Sequence, residues 1–449
     1  MKKNSSLLSL LLFILIITLV YSVSNMISPN ILEISNYFGY AGDLSQLGFL
    51  TFFFTILSGI SMIIFGYLAD KITRKWIVFM GTLIYSSFAS LVIIVPAGIS
   101  GYYIFFFLTC MTGIGFGAIV PSIFSLIGDL VSQDDRSKGF SFFSIATLLG
   151  MLVGIVLATF LGTPDWRIPF LIIGIAGLLN TIIILFFKEP TRIGKDYLDI
   201  TKKEEIDYTY RIKREDLKKV FNKKSNIWLI INFVDTIPTG IILFLLWAYM
   251  EQIHNVPQDV ALIFLAFIFF STLFGTIIFG IIGDKMFKSG KKKARVYLAL
   301  IANIVPIPFV FIGLIIPFRA PDGVTIGDLF VIPGAVLMLI LTSIGLFVNG
   351  ATNGSWYATV ADINLPEHRG TVLATANFFD ILGRAIGPWI GAVVSDAFNP
   401  LAGINVSIIF WIFLPFFWIP ILRHVVPEMK ETERIFLERV ERLKRSKVI

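Results

Sequence analysis

The chain has 449 residues, of which 56% are hydrophobic and 15% charged, with a mean hydropathy of +0.83. That excludes a water-soluble globular protein, which would expose large contiguous apolar patches, and makes lipid the fitting solvent. The net charge of +7 does not mark a nucleic-acid binder, because most of the 44 Phe lie within apolar runs rather than beside an exposed basic face.

Twelve apolar runs follow one another, at 7–28, 46–70, 76–97, 101–129, 139–161, 167–187, 226–250, 258–283, 295–317, 329–360, 371–397 and 403–424. About 20 residues suffice to cross a hydrocarbon core of about 30 Å. Backbone polar groups in lipid must be satisfied within the segment, so the runs are helices, and the period-two alternation of a membrane barrel is absent. The first run follows Lys2 and Lys3 and lacks a small-residue cleavage site, so it reads as a retained span. Cys110, the single cysteine, lies inside the fourth run and rules out an internal disulfide.

Span two closes with IIFGYLADK at 63–71, followed by Arg74 and Lys75. Span four ends at Asp129. Arg136 comes seven residues later, and Gly150 and Gly154 follow in span five. The polar stretch 188–225 is a cytoplasmic linker, in which REDLKKVF (214–221) reads as a short surface helix. Span seven carries Asp235 deep inside, and the Pro238 and Gly240 that follow predict a bend there. Span eight closes with IIFGIIGDK at 277–285, identical to the first copy at six of nine positions, and Lys288, Lys291, Lys292 and Lys293 follow. Span ten contains NGATNGSWY, where Asn349 and Asn353 could line a site with Trp356 and Tyr357 or simply bond between helices. Asp362 and Arg369 repeat the spacing of Asp129 and Arg136. They lead to Gly383 and Gly387 as the first pair leads to Gly150 and Gly154.

One six-span unit is therefore written twice. The expected domains are 1–187 and 226–426, joined by the linker 188–225 and followed by a charged, solvated or interfacial tail helix at 427–449. With alternating spans, all 37 Lys and Arg except Arg167, Arg319 and Arg384 fall on one side. The positive-inside rule then places both termini in the cytoplasm.

GYLADKITRK (66–75) resembles the signature between spans two and three of the major facilitator superfamily, although Ile72 and Thr73 leave its second glycine missing. GIIGDKMFKSGKKK (280–293) is similar but carries an insertion. DLVSQDDR (129–136) and DINLPEHR (362–369) resemble the acid–basic pattern after spans four and ten. The resemblance implies an all-α membrane protein, the major facilitator fold of twelve transmembrane helices in two pseudo-symmetric six-helix bundles. It further implies a monomeric transporter in the plasma membrane, working by alternating access. It also implies a cytoplasmic latch, with Asp70 facing the start of span eleven and Arg74 near Asp129. Gly66 and Arg136 would complete this latch, and Gly280, Asp284, Asp362 and Arg369 would form its second copy. A plainer reading makes the basic residues topology-setting loops, though that rule needs neither the glycine nor the aspartate. Span four lacks the Arg, and span five the Pro, of the superfamily's drug antiporters. NFFDILGRAIGP (377–388) is loosely similar to spinster-like lipid transporters.

Two physical arguments stand apart from the resemblance. Gly66 and Gly280 would allow close helix approach, and Asp70 and Asp284, at helix C-termini, need partners against the local dipole. Asp235, Asp380 and Arg384 are deep: Asp235 lies about nine residues into its span, about 14 Å at 1.5 Å per residue. A charge there costs about 2.5–3.5 kcal/mol, so these side chains should face a cavity or one another. They could couple a proton to an anionic substrate, or form a static cluster joining spans seven and eleven. No nucleophile–base pair, metal-ligand spacing or cofactor loop appears, so neither an enzyme nor a cofactor is expected. The expected function is secondary active transport of a small organic solute with H+. The alternatives are transport of an amphiphile, lysolipid or drug-like compound, or a membrane sensor that has lost transport.

Overall fold

The protein is described by a computed structural model, which defines residues 2–130, 136–187, 189 and 214–446. Among these residues it is helical throughout. The first half comprises α1 (Lys2–Val23), α2 (Ile31–Tyr37), α3 (Ser45–Lys71), α4 (Arg74–Ser90), α5 (Ile99–Leu130), α6 (Arg136–Leu161) and α7 (Ile168–Phe186). After the linker come α8 (Arg214–Asn222), α9 (Lys224–Ile231), α10 (Thr236–His254), α11 (Gln258–Lys288), α12 (Ala294–Ile304) and α13 (Pro306–Ile315). The chain ends with α14 (Ile326–Leu329), α15 (Pro333–Asn349), α16 (Ala351–Ile363), α17 (Pro366–Ala397) and α18 (Pro400–Ser446). Among the described residues ten stretches are long and apolar enough to cross a membrane, and Ser9–Val23 and Ile145–Leu161 are shorter apolar helices. Together they match the twelve expected spans.

Three spans are interrupted where the sequence gives a reason. Span seven is α9 and α10 joined by a 3-10 turn at Asn232–Asp235. Pro238 cannot donate to the carbonyl four residues back, so the regular ladder fails at the turn that carries Asp235. Span nine breaks before Pro306, and span ten at Gly350. The last span and the tail are instead one helix of 47 residues, despite Pro415, Pro420 and Pro427. Lys223 Nζ holds the tail end of this helix, donating to Thr432 Oγ1 at 2.7 Å and to the Ile363 carbonyl at 2.5 Å.

The chain forms two compact units. One is Met1–Lys203 with Phe244–Ala248 and Pro388–Asp396, and the other is Glu204–Leu243, Tyr249–Gly387 and Ala397–Ile449. In the first, α3 packs on α5, α4 on α5 and α7, and α1 on α6. In the second, α11 packs on α15, α13 on α15, α12 on α16 and α18, and α9 on α18. The duplicated glycines explain the corresponding crossings. A Cβ on Gly150 would lie 2.5 Å from the Thr18 carbonyl oxygen, and one on Gly154 2.2 Å from that of Ser22. In the second unit, a Cβ on Gly383 would lie 2.8 Å from the Phe233 oxygen, and one on Gly387 2.5 Å from that of Ile237. Each pair lets two backbones touch, which lipid-embedded helices need because packing, not water exclusion, holds them together.

Gly113, Gly115 and Gly117 of α5 do the same work against α3 and α4, as their place in an apolar span predicts. The signature glycines do not. Among the described residues a Cβ on Gly280 meets nothing within 4 Å, and one on Gly66 meets only Pro121 Cβ at 3.8 Å. Among the described residues no backbone comes within 4 Å of either position.

Candidate functional site

The second unit gathers the deep charges. Asp235 sits at the end of the 3-10 turn, and Thr236 beside it donates from Oγ1 to the carbonyl of Asp380 at 3.0 Å. That bond and the Gly383 contact fix α17 against the start of α10. Asp235 and Asp380 lie close enough to act on each other electrostatically, Arg384 acts on Asp380, and Tyr357 faces both Asp380 and Arg384. Among the described residues no ion pair closes between Asp380 and Arg384, whose side chain is exposed. Trp411 of α18 lies close enough to the Asp235 carboxyl to act on it electrostatically. Trp411 is almost fully buried. Phe233 and Phe379 stack obliquely beside the carboxyls with ring centroids 5.5 Å apart. The cluster is thus two acids, one accessible cation and a wall of rings.

Trp411 was not foreseen. Its only sequence signal is a lone indole in the apolar run IIFWIFL, which packing alone would explain. Asn349 lies elsewhere, bonding from Nδ2 to the Ala302 carbonyl of α12 at 3.3 Å, the interhelical alternative. The side chain of Asn353 lies outside the described residues. Trp356 is buried and donates to the Leu229 carbonyl at 2.9 Å, whereas Tyr357 is exposed.

The signature residues form a second group in each unit. In the first, Arg74 opens α4 and is 3% exposed. Its Nε pairs with Glu189 Oε1 at 3.0 Å and its Nη1 donates to Ser125 Oγ at 2.8 Å. Ser125 lies one turn before Asp129 on α5, so Arg74 reaches the region that the resemblance implies. The side chains of Asp70, Asp129 and Arg136 lie outside the described residues. In the second unit the bridging cation is Arg295. Its Nη2 pairs with Asp284 Oδ1 at 2.6 Å, and its Nη1 with Asp362 Oδ2. Its guanidinium also lies over the Phe287 ring, 4.1 Å from the centroid.

Arg295 stands at the start of α12 as Arg74 stands at the start of α4. It is the structural counterpart of Arg74, a place the four inserted lysines hid. Arg369 is exposed and turns away, its Nε donating to the carbonyls of Ala361 at 3.0 Å and Asn364 at 3.2 Å. It thereby closes the C-terminal end of α16.

A sequence profile described as Major Facilitator Superfamily matches residues 13–335. Protein spinster homolog 1 of Xenopus laevis is 25% identical over 358 residues, which cover 74% of this chain and 62% of that one. The match thus spans less than two thirds of that relative. Among solved structures, a bacterial homolog to the human lysosomal transporter spinster superimposes with a TM-score of 0.75 at 17% identity, covering 95% of this chain and 98% of its own. A D-xylose-proton symporter does so with a TM-score of 0.65 at 17% identity, covering 90% and 96%. At these identities the two structures speak for the fold.

Proposed function

The chain belongs to the major facilitator superfamily, and on that premise we propose that it is a secondary active transporter, coupling movement of a small organic solute to protons by alternating access. The observation that carries this reading is the grouping of Asp235 and Asp380 near Arg384 inside the second unit. Two acids and one cation leave a surplus negative charge when both acids ionise, and a surplus deep in a membrane protein is costly. A proton removes the surplus. A substrate anion that engages Arg384 withdraws its charge from Asp380 and increases the demand for that proton. Substrate and proton thus bind favourably together, and the reading is co-transport through one site.

In this reading the protein lies in the plasma membrane with both termini cytoplasmic, acts as a monomer and carries out no covalent chemistry. The Arg74 and Arg295 networks serve as ties that reorganise between states. A second reading, transport of an amphiphile, is favoured by the rings of Phe233, Phe379, Trp411 and Tyr357 around the charges and by the similarity to spinster proteins.

The test is uptake into proteoliposomes under an imposed pH gradient, on substrates chosen by a thermal-shift screen of organic anions, cations and lysolipids. Asp235→Asn should abolish the stimulation by the gradient. Unchanged stimulation in that variant would sink the coupling assignment, and stabilisation by lysolipids alone would select the second reading.

A further inference from the structure

Away from this cluster, within the first unit, the end of α17 meets the start of α3 through one carboxylate and two backbone amides. Asp396 accepts the Leu44 N–H on Oδ1 at 2.7 Å and the Ser45 N–H on Oδ2 at 2.6 Å. The first-turn amides of a helix have no partner within it, and a carboxylate there also meets the positive end of the dipole. Asp43 approaches the same point from the chain entering α3, its Oδ1 accepting from Ser45 N at 3.3 Å and Ser45 Oγ at 3.1 Å. The two carboxyls thus converge on the Ser45 N–H, near enough to each other to share one proton. The neighbouring Asp396 carboxyl is the main reason why the Asp43 carboxyl lies below its ordinary range.

The contact is tight beyond the acids. A Cβ on Gly48 would lie 2.9 Å from both Ala392 Cβ and the Pro388 carbonyl oxygen. The Trp389 ring lies against Phe49 and Phe52, with centroids 5.8 and 5.5 Å away. Other titratable groups facing the pair are phenols: Tyr40 on the chain leading into α3, with Tyr102 and Tyr103 of α5 behind it. Tyr102 braces the first turn of α3 by donating to the Gln46 carbonyl at 2.8 Å. Phenols ionise at about pH 10, so near neutrality the two carboxyls are the groups that respond.

We propose that Asp43 and Asp396 form a one-proton latch that fastens α17 to α3 on the membrane face opposite the linker. The latch is closed while the pair holds a single proton and released when it holds none. With no proton, two carboxylates in contact repel and compete for the same amide. With two protons, the charge-assisted bonds to the α3 terminus are lost, so the latch is strongest in between. The sidedness rests on the proposed orientation, but the latch itself does not. It would make release of this end a proton-dependent event separate from the Asp235 cluster.

The test is pulsed electron–electron resonance on the full chain with Cys110→Ala, carrying spin labels at Gln46→Cys and Val393→Cys. The protein is held in nanodiscs that expose both faces, from about pH 5 to about pH 9, a range that brackets carboxyl pairs sharing a proton. The parent should pass from a short to a longer distance population as pH rises. Asp43→Asn removes one charge and should hold the short population at every pH. Asp396→Asn should lengthen the distribution at every pH. A parent that does not respond to pH, an Asp43→Asn variant that responds as the parent does, or an Asp396→Asn variant that keeps the parent's short population would each overturn the latch. Equal pH on both faces frees the result from orientation and from solute flux, so failure here is distinct from failure of the transport reading.

Discussion

Trp411 on α18 lies close enough to Asp235 on the broken seventh span for its indole to act on the carboxyl. Three segments distant in sequence therefore build one site: the 3-10 turn at Asn232–Asp235, α17 with Asp380 and Arg384, and α18. A hydrogen bond from this indole would matter, because a carboxyl in this setting has few other donors to replace it. Hydrogen bonds to charged groups contribute about 1.5–3 kcal/mol.

Trp411→Phe keeps the ring and removes the donor. If the bond is used in transport, uptake in proteoliposomes should fall by about ten- to hundredfold, from about 1.4 kcal/mol per decade. Insertion and thermal stability should be close to the parent's. Full uptake in Trp411→Phe would make the indole a packing residue only.

Arg295 offers a comparison within one side chain. Its partner Asp284 is 60% exposed and Asp362 only 21%. Exposed pairs contribute about 0–1 kcal/mol, whereas a more enclosed carboxylate left without its cation costs more. Thermal unfolding in detergent should therefore rank Arg295→Ala as most damaging, Asp362→Asn as intermediate and Asp284→Asn as nearly silent. Equal losses for the two aspartate variants would contradict this ranking.

Glycines give a direct contrast between signature and packing. A Cβ on Gly117 would lie 2.3 Å from the Ser58 carbonyl oxygen, so Gly117→Ala forces α3 and α5 apart. Among the described residues nothing lies within 4 Å of a Cβ on Gly280, and an alanine there should be tolerated or stabilise by up to about 1 kcal/mol through helix propensity. The yield of monodisperse protein should drop sharply for Gly117→Ala and stay at parental level for Gly280→Ala. If Gly280→Ala folds well yet loses transport, the glycine is needed in another conformation of the cycle.

The sequence by itself determined the number of spans, the duplication and the place of the interruption in span seven. All three rest on local properties: apolar length, repeated spacing, and a proline that cannot donate. The paired glycines were legible for the same reason, since Gly150/Gly154 and Gly383/Gly387 recur at one spacing and serve one crossing in each unit. Tertiary structure alone decided the partners. Arg295 was hidden because an insertion moved the second cation away from its motif, and only the start of α12 beside Asp284 and Asp362 reveals it. Trp411 was hidden because a contact between spans leaves no periodic trace in an apolar run. Asp43 and Asp396 are separated by most of the chain, and only the folded first unit brings a carboxylate from the end of α17 onto the free amides at the start of α3.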